Sequence, residues 1–425
     1  MRNPLRSRRN PLPDTPRRPR RATALLGLGT LVTGTLSGVL AGSAVPANAA
    51  CTPAWKMETP AFPASEVQDV EALSAKDVRF TANVDSDWGA GLSETVWDGS
   101  KNTGTGPQIP VQPKRPVFKG TRGSYDSASS GWVIVQPAGG GADIAVMTMA
   151  RWDGGRWRLY PTAASPDPKN GRVRLLDVAS VAPDDAWAVG DLDMSGALLE
   201  HWDGTEWTLA DHPSASGQGS ALIQIDAVSA NDVWAVGYKR ARPAEGVFIP
   251  YAEHYDGTKW TEVELPSVVA PGMPEGIAST VVANGPDDVY IGGWRGTWTD
   301  WNGYRGLVMH WDGKKWSVDT GPGDVKQGGF MNALYAAGPD DLWAIADSTL
   351  LHRTGTTWTK VAPEGAQPGG GGAAGVTYLY RALAGSGPGD VWAVGSYEYT
   401  DPSPMPGLAY ATKRTALAHL TCGVR

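Results

Sequence analysis

A pattern repeated seven times, with a period of about fifty residues, constrains this chain more than any other feature. One clear copy runs from Leu176 to Ala210, with Asp-Asp-Ala-Trp-Ala-Val-Gly followed by Glu-His-Trp-Asp-Gly-Thr-Glu-Trp-Thr-Leu. A second runs from Ile225 to Pro266, with Asn-Asp-Val-Trp-Ala-Val-Gly and then Glu-His-Tyr-Asp-Gly-Thr-Lys-Trp. The same grammar returns at Asp287–Tyr290, Asp340–Trp343 and Asp390–Gly395, and two degenerate copies open at Asp77 and Gly131.

Each unit contains four short runs of strand-forming residues. The first is apolar, as in Ile225 to Val228, and a tight Asp-bearing turn leads to the second, Val233 to Val236. The third ends at the His-aromatic pair. An Asp-Gly turn, a strong hairpin signal, then leads into a fourth run that begins with Trp. Seven four-stranded antiparallel units around an axis make an all-β, seven-bladed β-propeller.

The chain ends account for a missing strand. The seventh unit stops at His419-Leu420-Thr421-Cys422, before any Trp-led fourth run, while Ala54-Trp55-Lys56-Met57 near the other terminus matches that run. The N-terminal strand is therefore expected to complete the last blade. The two cysteines, Cys51 and Cys422, are expected to form a disulfide across the seam, as two cysteines in an exported chain do. A competing reading makes Cys51 a lipoprotein cysteine, but no Leu stands three residues before it.

Export is read from residues 1–49. Eight arginines open the chain, an apolar run diluted by Gly and Thr spans Ala22 to Val45, and Ala47-Asn48-Ala49 offers a small-x-small cleavage site. A membrane anchor is the alternative, and a Sec or twin-arginine route stays open. The domain division is thus 1–49 secretory signal peptide and 50–425 single propeller, secreted and not inserted in a membrane. The chain carries 37 basic and 44 acidic side chains; without its first 49 residues the balance falls to 29 against 43. That excess of acid argues against nucleic acid, where neutralising phosphate dominates affinity.

The period and the Gly and Trp usage resemble kelch-type propellers. The His-Trp-Asp string is similar to WD40 repeats, although there a Gly-His pair opens the blade and no Trp follows the turn. Asp-Val-Trp-Ala-Val-Gly resembles tectonin-like lectin repeats. The resemblance covers nearly all of the chain after the signal and implies the fold; propellers host many activities, so it names none.

Residues that recur in every blade read first as architecture. His201, His254, His310, His352 and His419 hold one repeat position and are expected to bond neighbouring backbone, as are Asp185, Asp232, Asp288, Asp341 and Asp390. His212 alone is outside the pattern, in a polar loop without a second ligand at metal spacing. No metal or cofactor is expected. Fifteen of the 19 tryptophans hold repeat positions and are expected to pack blade on blade.

Function is therefore sought where the repeat imposes nothing, in the connections between second and third strands, which vary most and share one face. The candidate ligand-binding residues are Trp88 and, in the unit-five connection, Trp294, Arg295, Trp298, Asp300, Trp301 and Tyr304. Flat aromatics beside hydrogen-bonding groups suit sugar rings and protein hot spots alike. The alternative is a loop that folds its aromatics inward. Three functions stay open: a binding protein for carbohydrate or cell-surface material, a protein-interaction scaffold of the cell envelope, and a glycan-active hydrolase or lyase using carboxylates of the central funnel. Glu71, Asp177, Asp226 and Arg381 lie on first strands and are candidates to line that funnel. No nucleophile elbow or paired histidine supports the enzyme, so a non-catalytic monomer is expected.

Overall fold

A computed structural model of the protein describes residues 53–422 apart from 62–64, 85–90, 106–116, 139–147, 165–172, 193–195, 214–218, 243–246, 269–274, 298–302, 323–328, 339, 364–376 and 402–409. Seven antiparallel sheets of four strands follow one another along the chain. Blade 1 covers residues 65–105, blade 2 117–161, blade 3 173–209, blade 4 221–262, blade 5 275–319 and blade 6 331–361. Blade 7 takes three strands from 377–422 and its fourth from Pro53–Met57, which pairs with Tyr410–Cys422 so that Trp55 faces Leu420 and Pro53 faces Cys422. Cys51 lies outside the described residues, as does the whole of residues 1–52. The first strand of each blade contacts the first strands of both neighbours, blade 7 against blade 1 included, so these seven strands surround the axis.

The repeated Trp residues build the contacts between blades. The second-strand aromatic of one blade meets a Trp on the outer part of the next, edge to face. Trp132 meets Trp207 at 5.0 Å, Trp187 meets Trp260 at 5.2 Å and Trp234 meets Trp316 at 6.1 Å between ring centroids. At the seam Trp343 meets Trp55 and Trp392 meets Trp97, both at 5.3 Å. Such pairs contribute roughly 0.5–1.5 kcal/mol each beyond the area they bury.

The histidines do something other than expected. Each Nε2 donates to the carboxylate at the start of the second strand of its own blade: His201 to Asp185, His254 to Asp232, His310 to Asp288, His352 to Asp341 and His419 to Asp390, at 2.6–2.9 Å. The imidazole also lies on the neighbouring second-strand aromatic, with ring centroids 3.8–4.5 Å apart. An anionic acceptor and a flat partner within reach are better than a backbone carbonyl already used by the sheet. The two degenerate blades substitute for this. In blade 1 Arg79 stands in the Trp place and bonds Asp77 at 3.0 Å; in blade 2 Arg151 stands in the His place, over the Trp132 ring.

The Asp-Gly turns form as the sequence indicates. Gly99, Gly154, Gly204, Gly257 and Gly313 take φ between +83° and +96°, where a Cβ is strained. The preceding carboxylates accept backbone N–H groups two and three residues on; at Asp203 and Asp256 a Thr hydroxyl adds to them and the carboxyl is held down at about 2. One blade end is thus saturated by repeated chemistry.

Candidate functional site

The other end of the blades is where the units differ, and its geometry starts from an irregularity they share. Every first strand carries a β-bulge in its first half, one to four residues after it begins. In blades 3, 4, 5 and 7 it lies opposite the glycine of the repeated second strand: a Cβ at Gly190, Gly237, Gly293 or Gly395 would collide with the first-strand carbonyl of Arg174, Ala221, Ile277 or Leu379. A bulge re-aims one side chain. Here the extra residue is part-exposed, or in Arg381 exposed, among largely buried neighbours, and it stands on the strands that surround the axis. It differs in every blade. Leu176 and Ile223 make an apolar arc on blades 3 and 4, and Ser279, Asn332, Arg381, Gln68 and Thr121 a polar arc on the rest. The bulge is nearer the end where second and third strands connect, so this ring lies at the channel mouth on the variable face.

Just below the ring, the next residue stitches blade to blade. Asp69 of blade 1 accepts the Gly123 N–H of blade 2 at 3.0 Å, Asp177 of blade 3 the Ile225 N–H of blade 4 at 3.1 Å, and Gln224 of blade 4 the Val281 N–H of blade 5 at 2.6 Å. Blade 2 has Arg122 at this position, with Nη1 3.4 Å from Asp69. Burial pushes the Asp177 carboxyl up to about 7, against the pull of Arg122 and with the push of Asp69. Burial also raises Asp69, and Arg122 is held up by the two acids against its own burial. Asp226 likewise serves the next blade, through the Ala283 N–H at 2.9 Å. These funnel carboxylates are therefore hydrogen-bond acceptors of the ring itself. Arg381, on the mouth ring, is 42% exposed and bonds Glu66 of blade 1 at 2.8 Å.

The connections on this face differ in build. Blade 6 turns at Asp347-Ser348, with Asp347 at φ +53° and its Oδ1 accepting the Phe330 N–H. Blades 4 and 7 instead prolong their strands into ribbons, Asp232–Arg242 with Val247–Tyr255 and Asp390–Asp401 with Tyr410–Cys422. The segment Lys239 to Arg242 is strand. At the rim of blade 4 a cleft of about 250 Å³ is lined by Lys239, Tyr251, Glu262 and Val268, but Lys239 already pairs with Glu262 and covers the Tyr251 ring.

Of the candidate aromatics, Trp294 and Tyr304 are not surface residues. They are 0% and 1% exposed, 4.2 Å apart, and both pack on Phe330 at the edge of blade 6. Trp294 and Arg295 belong to the second strand Asp288–Gly296, which runs further than the repeat suggests and turns Trp294 inward. Arg295 stays part-exposed. Trp88, Trp298, Asp300 and Trp301 lie outside the described residues. His212 stands in the link between blades 3 and 4 but is buried, with Nδ1 3.1 Å from both carboxylate oxygens of Glu253, which also accepts the Tyr251 hydroxyl at 2.8 Å. Among the described residues no three His, Cys, Asp or Glu side chains are grouped to hold a metal.

No family model matches the sequence, and no curated protein matches it. Several solved structures are similar in fold. YCF48 bound to D1 peptide aligns at TM-score 0.49 and 11% identity over 87% of this chain and 97% of its own. The extracellular domain of the putative one-component system BT4673 from B. thetaiotaomicron gives 0.48 and 12% over 85% of this chain and 39% of its own. The six-bladed fungal lectin from Aleuria aurantia gives 0.40 and 13% over 75% and 98%.

Proposed function

We propose that the chain is exported after loss of residues 1–49, sealed by a Cys51–Cys422 disulfide, and acts as a non-catalytic binding propeller for carbohydrate or other cell-surface material. The observation that carries this reading is the mouth ring. A bulge common to all seven blades sets one blade-specific residue each on the strands that surround the axis, on the face where the connections also vary. A rigid scaffold with variable groups gathered at one concave place is how binding sites are built. The mixture of apolar and hydrogen-bonding groups around the mouth suits sugars. The carboxylates below it already accept backbone N–H groups, which favours binding over hydrolysis.

The test is a titration of the purified protein with soluble polysaccharides and cell-wall fragments, with products assayed in the same samples. Saturable binding with the glycan recovered unchanged is the expected result. New reducing ends or unsaturated sugars would replace the reading with a hydrolase or lyase. Absence of binding to every glycan would turn the search to envelope proteins.

A further inference from the structure

We infer that Arg295 and Arg305, side by side at the variable end of blade 5, form a binding site for a phosphate group, free or carried on surface material. This goes beyond the glycan reading above and stands without it. The two arginines lie opposite each other in the ladder between Asp288–Gly296 and Arg305–Trp311. Directly opposite residues have their Cβ atoms about 4.5–5.5 Å apart, on one side of the sheet. That side faces blade 4, because Leu307 and Met309, at the next alternate positions after Arg305, pack in one core with Trp234, Val236 and Ala252. Trp294 and Tyr304 take the other side, against Phe330.

Blade 4 shows how the same place is neutralised. Lys239 stands as far after Asp232 as Arg295 does after Asp288, and Glu262 as far after Trp260 as Val318 does after Trp316. In blade 4 the ammonium pairs with Glu262 and lies over the Tyr251 ring. In blade 5 the place of the acid is held by Val318, which is 41% exposed, that of Tyr251 by Leu307, and that of Ile249 by the second cation, Arg305. The acids next in register do not serve the pair. Glu275 falls on the Trp294 side, and Asp319 accepts the Trp358 indole N–H of blade 6 at 2.9 Å. Arg295 makes no hydrogen bond or ion pair to the described protein atoms, and its Nε is shut off from solvent without an acceptor. Arg305 gives Nη1 to the Tyr304 carbonyl at 2.9 Å, a neutral acceptor. Like charges set directly opposite repel, and Arg295 is left with donors that the fold does not use. Two guanidinium forks side by side match a tetrahedral oxyanion, which shows oxygens to both at once, whereas a carboxylate fills one fork. The net acidity of the chain after residue 49 repels anions in general, so affinity for phosphate needs a local site of this kind.

The experiment is calorimetric titration at low ionic strength, in a buffer without phosphate, with inorganic phosphate, glucose 6-phosphate and glucose. Both phosphates should bind, at least ten-fold more tightly than glucose. Tighter binding of glucose 6-phosphate than of inorganic phosphate assigns the site to phosphate carried on a sugar; equal affinity assigns it to free phosphate. Arg295→Gln should weaken both phosphates by about ten- to a hundred-fold, the range for loss of charged hydrogen bonds. Val318→Glu, which restores the acid of blade 4, should do the same, while Lys360→Gln, at an exposed lysine of blade 6, should change nothing. Since Arg295 bonds no described protein atom, Arg295→Gln should unfold at the wild-type temperature without phosphate. Added phosphate should raise that temperature for the wild type and not for the variant. If one of the two variants does not fold, the other reads the same loss. Phosphate affinity no greater than that for glucose, affinity indifferent to Arg295→Gln and Val318→Glu, or a loss on Lys360→Gln as large as on Arg295→Gln overturns the site. The glycan reading is untouched by any of these results, since the polysaccharide titration decides it.

Discussion

The turn end of the blades and the channel wall hold the ring together by opposite means. At the turn end the repeated polar contacts are internal to a blade: Asp to His, His on Trp or Tyr, carboxylate to the N–H groups of its own turn. At the channel wall the polar contacts leave the blade for the next one, and the side chain that makes them changes, from Asp69 and Asp177 to Gln224. Repetition thus stabilises the unit, while departure from repetition sets the order of units and supplies places where chemistry differs around the axis. A blade of this family of contacts is interchangeable at one end and specific at the other.

The sharpest break in that comparison is expected where a between-blade contact is also fully buried. Glu253 of blade 4 and His212, in the segment that links blade 3 to it, are 0% and 2% exposed. Glu253→Ala removes the carboxylate that His212 bonds and should cost about 3–5 kcal/mol, the range for breaking one side of a buried pair. Chemical denaturation measures it; a loss below about 1 kcal/mol would mean that water or relaxation compensates and that between-blade contacts are not the stronger kind. The proposed seam disulfide comes next. Cys422→Ser, or reductant, should remove about 2–4 kcal/mol, with the two treatments not additive. No effect of either on the unfolding midpoint would count against the Cys51–Cys422 bond.

Much of this division was legible before any coordinate. The period, the four runs per unit, the Asp-Gly turns and the N-terminal strand of blade 7 all follow from repeated letters, because repeated letters report repeated local physics. What the letters hid were the partners. A His that recurs shows that it is structural, but whether it bonds backbone or the Asp of the same blade depends on a cross-strand register set in three dimensions. Trp294 read as exposed because it departs from the repeat, yet the second strand of blade 5 continues past the shared pattern, and strand alternation turns Trp294 into the blade 6 interface. The glycine of Trp-Ala-Val-Gly was in plain view, and glycine inside a strand is a known sign of a bulge. The side chain that this bulge releases stands on the other strand, so it carries no local mark. That is why Gln68, Leu176 and Ile223 were not read as one ring from sequence.

The channel wall also predicts a pH dependence opposite in sign to that of the turn end, where the Asp203 and Asp256 carboxyls are held down. The Asp177 carboxyl is raised by burial from 3.8 to about 7, so between those values the folded protein holds a proton that the unfolded chain has released. Stability should therefore fall as pH rises from about 4 to 7, by at most about 1.4 kcal/mol per unit from this group. Asp177→Asn keeps an oxygen for the Ile225 N–H and removes the titration. Its stability profile should be flatter across that window, and identical slopes in both proteins would place the proton elsewhere.

The smallest effects test the comparison most directly, because they ask whether like positions have like energies. His254→Ala, His310→Ala and His352→Ala each remove one hydrogen bond from a part-exposed imidazole to its own Asp, and each should cost about 1 kcal/mol. Since the three sites share no partner, the triple variant should lose close to the sum. The matching series at the channel wall, Asp69→Ala, Asp177→Ala and Gln224→Ala, should be uneven. Asp69→Ala strips Arg122 of a counter-charge as well as leaving the Gly123 N–H without its acceptor, whereas Gln224→Ala loses a neutral acceptor alone. Equal costs along the wall, or unequal costs along the histidines, would show that the repeat does not mark which contacts are interchangeable.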